Sequence, residues 1–345
     1  MDKLKKKGNM WLVGMSTCSV FLLGCLITQN KDQVVLVEPI GENRHLEYVK
    51  IKLPHTKSSL LLKDTSNGQI LQGEQLSQDY KKDSSMYVFP VSLKAHEKRT
   101  FYILDQQPES HRSKHLLKVK GNEMDITIDN GVFVSDFTST ESKLQAGLYP
   151  GQLAGINIKK NKTRLKRTRI NMHWAPNFQK TGSNDYKTIG HVSLENTKIL
   201  KNAYYLSMAK TGRVKGYGEI DLQGKYEFYA GLPYFEYSST MTFNADAHLF
   251  LLRNNEMTLD KLFTHLIYPD PHGRLAEIPL YNDTHIDSLA KAPLADDISW
   301  LGFINKSMDY GLVGLTLDYD NQNKMGETSP LFEPHLKISK GRQEG

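Results

Sequence analysis

Tyr226-Glu-Phe-Tyr229, Ala230-Gly-Leu-Pro233, Tyr234-Phe-Glu-Tyr-Ser-Ser-Thr-Met-Thr-Phe243: two aromatic-rich runs flank a four-residue turn signal. Such a pattern reads as a β-hairpin, because aromatic and β-branched side chains suit a pleated, half-buried surface and Gly and Pro punctuate the chain. The same texture recurs on both sides. Met124-Asp-Ile-Thr-Ile128 alternates, Asp129-Asn130-Gly131 signals a tight turn, and Val132–Phe137 returns. Further on, Ile298–Ile304 and Leu312–Tyr319 form another pair, separated by Asn305–Gly311. Helical periodicity is scarce; Leu259–Leu266 is expected as one short helix. Short β-rich runs divided by turns predict an all-β chain whose main unit, residues 115–340, is a large antiparallel β-sandwich rather than a βαβ fold.

A smaller β domain is expected over residues 46–105. Tyr48-Val-Lys-Ile-Lys-Leu53 alternates, Ser59–Asp64 follows, Asn67-Gly68 supplies a turn, and Met86–Leu93 and Arg99–Leu104 read as two more strands. Residues 106–114 are expected as the linker between the two units. Residues 25–45 are polar and are expected as a tether.

The first 24 residues read as a targeting segment. Lys5, Lys6 and Lys7 precede an apolar stretch from Met10 to Leu23, too short and too rich in Gly, Ser and Thr to span a bilayer comfortably. It ends Leu22-Leu23-Gly24-Cys25, which resembles a bacterial lipobox, where cleavage leaves an N-terminal Cys that carries lipid. The expectation is a lipid anchor at Cys25 (acylated with palmitate) in a cell envelope, at the outer membrane or periplasmic face of a Gram-negative bacterium. Cleavage would remove four Lys and one Asp, lowering the formal charge of the chain from +6 to +3. It would also remove Cys18, and with Cys25 acylated no thiol is left for a disulfide, a metal or a nucleophile. A composition that is 39% hydrophobic excludes a disordered chain.

The run Tyr226–Phe243, with Leu251-Leu-Arg-Asn-Asn-Glu256 soon after, resembles the core strands of galactose-mutarotase-like and polysaccharide-lyase supersandwich domains. A small β domain ahead of such a sandwich is similar to the first two domains of exo-rhamnogalacturonan-lyase-like proteins. The resemblance implies a supersandwich-like fold and carbohydrate chemistry. Lyases of this type commonly carry an α/α-toroid as well. The chain reaches Gly345 without one and is expected to be a shortened relative or a standalone sandwich.

Three groups of residues are candidates for that chemistry. Lys159–Arg169 holds seven basic residues in eleven and no acid, so Lys160, Arg164 and Arg167 are expected to bind substrate, an acidic or sulfated polysaccharide rather than nucleic acid. The alternative is an edge strand made basic against unwanted pairing. Asn171-Met-His-Trp-Ala-Pro-Asn-Phe178 offers Trp174 as a flat face for a sugar ring and His173 for proton exchange. Equally open is a Trp that plugs one end of the sandwich with His173 hydrogen-bonded beneath it. The third group is Arg253-Asn-Asn-Glu256 with Phe263-Thr-His-Leu-Ile-Tyr268.

β-Elimination at a uronic acid needs a carboxylate neutraliser, a base and an acid. Arg253 or Asn255 suits the first role, His265 the second and Tyr268 the third. Glu256 with Asp270 is the hydrolytic alternative. The structural alternative is an Arg253–Glu256 ion pair and a satisfied His265. His191 is read on a strand. Asp270 and His272 lack zinc spacing, so no metal and no cofactor is assigned, a structural calcium being illegible in sequence. Phosphate-loop, dinucleotide, zincin and nucleophile-elbow motifs do not occur. The function expected is a lyase acting on an acidic polysaccharide. Its alternatives are a non-catalytic glycan-binding lipoprotein and a glycosidase or epimerase on the same sandwich.

Overall fold

The computed structural model describes residues 26–29, 32–54, 59–79, 84–105, 116–137, 147–168, 170–253, 255–270, 272–281 and 300–317. Their regular structure is antiparallel β, with two single-turn 3-10 segments. The anchor at Cys25, the linker at 106–114 and the stretch after 317 lie outside the described residues.

The first sheet has seven strands in the order β1 (Leu26–Gln29), β2 (Gln33–Val37), β7 (Lys98–Leu104), β4 (Ser59–Asp64), β5 (Ile70–Asp79), β6 (Ser84–Leu93) and β3 (Arg44–Leu53). Alternation drives it: Val49, Ile51 and Leu53 of β3 enter one core with Val34, Leu36, Tyr87, Phe89 and Phe101. β2 and β3 lie second and last in the strand order yet share that core, so the sheet folds over on itself. β5 makes the corner. Ile70–Glu74 pairs with β4, Glu74–Asp79 pairs with β6, and the register shifts between Gln75 and Ser77.

Two further sheets form the sandwich. One runs β12 (Thr163–Lys166), β11 (Gly155–Ile158), β10 (Phe133–Asp136), β9 (Asp125–Asp129), β8 (Lys118–Asn122); the other runs β15 (Thr197–Lys201), β16 (Tyr205–Arg213), β17 (Ile220–Tyr229), β18 (Phe235–Phe243). Ile126, Ile128, Phe133 and Ile156 of the first meet Leu206, Met208, Tyr226 and Phe228 of the second in one core. Full burial of Phe228 alone contributes roughly 1.5–3 kcal/mol. Smaller sheets follow: β14 (Tyr186–Thr188), β13 (Asn177–Lys180), β19 (Leu249–Arg253), and β21 (Leu275–Pro279), β20 (His265–Pro269), β22 (Trp300–Asn305), β23 (Tyr310–Leu315).

The outer face of β3 docks the first unit on the sandwich. Tyr48 joins the sandwich core and its hydroxyl donates to Ala230 O at 2.9 Å. Lys50 reaches Glu227 Oε1 at 3.0 Å and Glu236 Oε2 at 3.1 Å, and Tyr204 donates to Val88 O at 2.9 Å.

The 230–233 hairpin and the Asn130-Gly131 turn form as expected. Three expectations are corrected. The presumed tether contributes β1 and β2, with Val34 and Leu36 fully buried. Residues 259–266 are not helical. Asp260 N donates to Lys166 O and Thr264 N to Ile304 O, and β20 begins at His265, so neighbouring chain takes the bonds a helix would have used. His191 closes a 3-10 turn, Ile189–His191, rather than sitting on a strand.

Candidate functional site

Two distant segments are laid side by side. β13 pairs with β19 so that Asn177 faces Arg253, and an isolated bridge joins His173 to Met257. Residues 173–177 therefore run antiparallel to 253–257, bringing His173, Trp174 and Asn177 against Arg253, Asn255 and Glu256. Beneath them Tyr226 and Tyr237, opposite one another on β17 and β18, pack their rings 5.6 and 4.3 Å from that of His173.

His173 is 2% exposed and both ring nitrogens are engaged. The Tyr226 hydroxyl donates to Nδ1, and Nε2–H donates to Asn255 Oδ1 at 2.9 Å. Burial outweighs the Asn255 bond and the Glu256 charge, and lowers the pKa of His173 to about 4. The ring is neutral at neutral pH, with no free lone pair and no free N–H.

Glu256 is likewise committed. Its Oε2 accepts from Asn177 Nδ2 at 2.8 Å and from Tyr186 OH at 2.9 Å, and Arg253 holds Oε1. Burial, then the Glu256 charge, pushes the Tyr186 phenol well above its usual range. Outside this lattice, Asn255 is exposed and Arg253 keeps 41% of its side chain in solvent. Trp174 is half-buried, 5.4 Å from the Tyr186 ring, with its indole Nε1 buried and unpartnered. An aromatic pair thus stands beside an amide and a guanidinium at the surface.

The remaining candidates lie elsewhere. His265 and Tyr268 are on β20 in a different sheet. His265 Nδ1 is 2.8 Å from Thr264 Oγ1, its Nε2 is 3.6 Å from Glu277, and Tyr268 packs on Leu266 and Leu301. That sheet is not the one that carries Arg253, so the expected base and acid are parted from the expected carboxylate neutraliser. Asp270 is no partner for Glu256. It caps its own hairpin, accepting from His272 N at 2.8 Å and from Arg274 N at 2.9 Å.

The basic run is ion-paired at four of its described positions. Lys159 pairs with Asp129 (2.9 Å), Lys160 with Asp309 (2.9 Å), Arg164 with Asp136 (2.8 Å) and Arg167 with Asp260 (3.3 Å). β12, its strand, is an edge of the first sandwich sheet, as the alternative reading had it, and Arg169 lies outside the described residues. Charge concentrated in sequence is offset in space.

Sequence reasoning missed Tyr186, Tyr226, Tyr237 and Asn177 as partners, and the Lys50–Glu227–Glu236 cluster. The hairpin symmetry about 230–233 already sets Tyr226 opposite Tyr237 and Glu227 opposite Glu236, so part of this was readable. Among the described residues no three His, Cys, Asp or Glu side chains gather as metal ligands, and no helix is long and apolar enough to cross a membrane. No known family model matches the chain, and no curated protein matches it either.

Proposed function

We propose that the protein is a non-catalytic glycan-binding protein, held at a cell envelope by lipid on Cys25. The observation that carries the reading is the contrast at the 173–177/253–257 crossing. The groups able to move protons, His173 and Glu256, are saturated by internal partners, whereas Arg253 and Asn255, though each holds one of those bonds, stay exposed, beside a partly exposed Trp174. A partly exposed indole supplies a face for a pyranose ring, and the amide and guanidinium supply hydrogen bonds to hydroxyl or carboxylate oxygens. Because the 159–169 run is largely ion-paired, recognition rests on stacking and hydrogen bonding more than on charge.

The test is affinity electrophoresis through gels containing neutral or uronic-acid polysaccharides, with a parallel optical assay for unsaturated uronide product. Retardation by at least one glycan, lost in Trp174→Ala, with no product formed, is the expected result. Release of unsaturated product would overturn the reading in favour of elimination.

A further inference from the structure

The four-stranded sheet β21–β20–β22–β23 has one face in the molecule's interior. Leu266, Leu301, Ile278 and Phe303 pack into cores on that side. The pleat sends the residues between them to the other side. There the register sets Leu275 beside Pro269, Ile267 beside Gly302, Gly302 beside Val313, and Trp300 beside Leu315. A Cβ on Gly302 would lie 2.8 Å from the Ile267 side chain and 3.2 Å from that of Val313, so those two branched side chains close over the glycine.

An antiparallel sheet with one face in a core commonly turns polar residues to water on the other. This sheet turns out Leu275, Val313 and Leu315, which are 66%, 50% and 55% exposed. Ile267, Trp300 and Ile304 lie between them and are partly exposed. Single apolar side chains at a surface need no explanation, whereas a contiguous set spanning four strands marks a contact face.

Charge and size point to the occupant. The acid on this face, Glu277, is held by Lys306 and lies 3.6 Å from His265. Arg274, at the turn between β20 and β21, is held by Asp270 at 2.7 Å. Neither pair leaves charge over to attract a polyanion or an anionic lipid, or to repel a second copy of the same face. The edge strands β12 and β15 each carry two basic residues, a guard against pairing with another chain, but the edge strand β23, Tyr310–Leu315, carries no charge. Strands of five or six residues, four abreast, outline about 20 Å by 18 Å. Two such faces cover on the order of 700 Å² in outline, and more with side-chain relief, close to the roughly 1,200 Å² at which specific interfaces begin.

We infer that two copies of this chain pack face to face through this sheet, forming a reversible two-fold dimer. The stacked sheets lie about 10 Å apart, and the same patch serves both partners, as a two-fold contact requires. The contact is independent of the glycan-binding reading.

Sedimentation velocity of the full chain across a dilution series tests it. A dimer that dissociates on dilution is expected. Leu275→Lys and Val313→Lys, at opposite borders of the sheet and both well exposed, should each raise the dissociation constant at least about tenfold. Phe250→Lys, 75% exposed but on β19 in another sheet, should leave it unchanged. Hydrogen exchange of the unaltered chain reads the same face without substitution, with β20, β22 and β23 gaining protection as concentration rises. A monomer at every concentration overturns the inference, as does no gain in protection. Weakening by Val313→Lys alone would mean edge pairing of β23, and weakening by Phe250→Lys as well would mean indiscriminate adhesion. Association untouched by either face variant would come from elsewhere, such as lipid on Cys25. Each of these three results also overturns it.

Discussion

Replacing Lys50 by Met tests how the two units are joined. Lys50 Nζ lies 3.0 Å from Glu227 and 3.1 Å from Glu236, carboxylates placed directly opposite one another on β17 and β18. All three side chains are 11–19% exposed. At 3 Å and an effective dielectric near 20, each contact is worth about 5 kcal/mol before desolvation is charged against it. Removing one partner of a buried pair costs about 3–5 kcal/mol. Lys225, 3.0 Å from Glu227 Oε2, stays behind and still offsets part of the repulsion, so about 3 kcal/mol is expected at pH 7.

The pH dependence gives this prediction its sign. Burial raises the Glu227 pKa, but Lys50, Tyr205 and Lys225 together bring it below the usual carboxylate value. The stability so gained is present above the unfolded pKa, about 4.5, and is lost as pH falls through the lower folded value. Lys50→Met forfeits that gain, so the gap between the two proteins should narrow in acid. Urea unfolding followed by tryptophan fluorescence at neutral and acid pH measures it. A cost under about 1 kcal/mol at pH 7, or one that is the same in acid, would refute the reasoning.

His173 carries a second pH signature. Its folded pKa of about 4 lies below the unfolded value near 6.5, so stability is full above about pH 6.5 and falls by roughly 3 kcal/mol as pH drops to 4. In His173→Phe that slope should flatten in the same unfolding experiment. Asn130→Ala removes donors to Tyr229 O and Leu232 O and an acceptor for Val132 N and Phe133 N, with an expected cost of about 2–4 kcal/mol by denaturant midpoint. Gly121→Ala places a Cβ 2.2 Å from Asp125 O at φ +101°, so thermal denaturation should show a loss of about 2 kcal/mol or more, whereas Gly68→Ala, with open space around it, should lose less.

Local patterns carried the parts of the fold that sequence discloses. Val49, Ile51 and Leu53 announce β3 by alternation, and the turn at 230–233 fixes which residues of β17 and β18 meet. The errors have specific causes. Val34–Val37 is an unbroken apolar run whose burial alternates, but polar neighbours on both sides masked a five-residue strand. Leu259, Leu262, Phe263 and Leu266 have helical spacing, and all four do pack into cores, on a non-helical backbone bonded to β22 and to Lys166 instead. The candidate site was legible as residue types and not as contacts, since Asn177 and Glu256 meet across 79 positions. The basic stripe misled for the same reason: Lys160 finds its acid 149 positions away.

Those long-range contacts bear differently on proton transfer and on ligand contact at the 173–177/253–257 crossing. To serve as a base, His173 would have to surrender a hydrogen bond and leave Tyr226 or Asn255 without its partner, at about 1–3 kcal/mol for a buried group. It would then accept a proton in a setting that keeps its pKa near 4, which makes it a weak base at neutral pH. Glu256 would have to give up one of three donors. Arg253 and Asn255 keep solvent-exposed surface while bonded to Glu256 and His173, and Trp174 keeps part of its ring exposed, so a ligand can meet them with those bonds in place. Binding at this crossing uses the structure as it stands, while proton transfer requires it to be taken apart first.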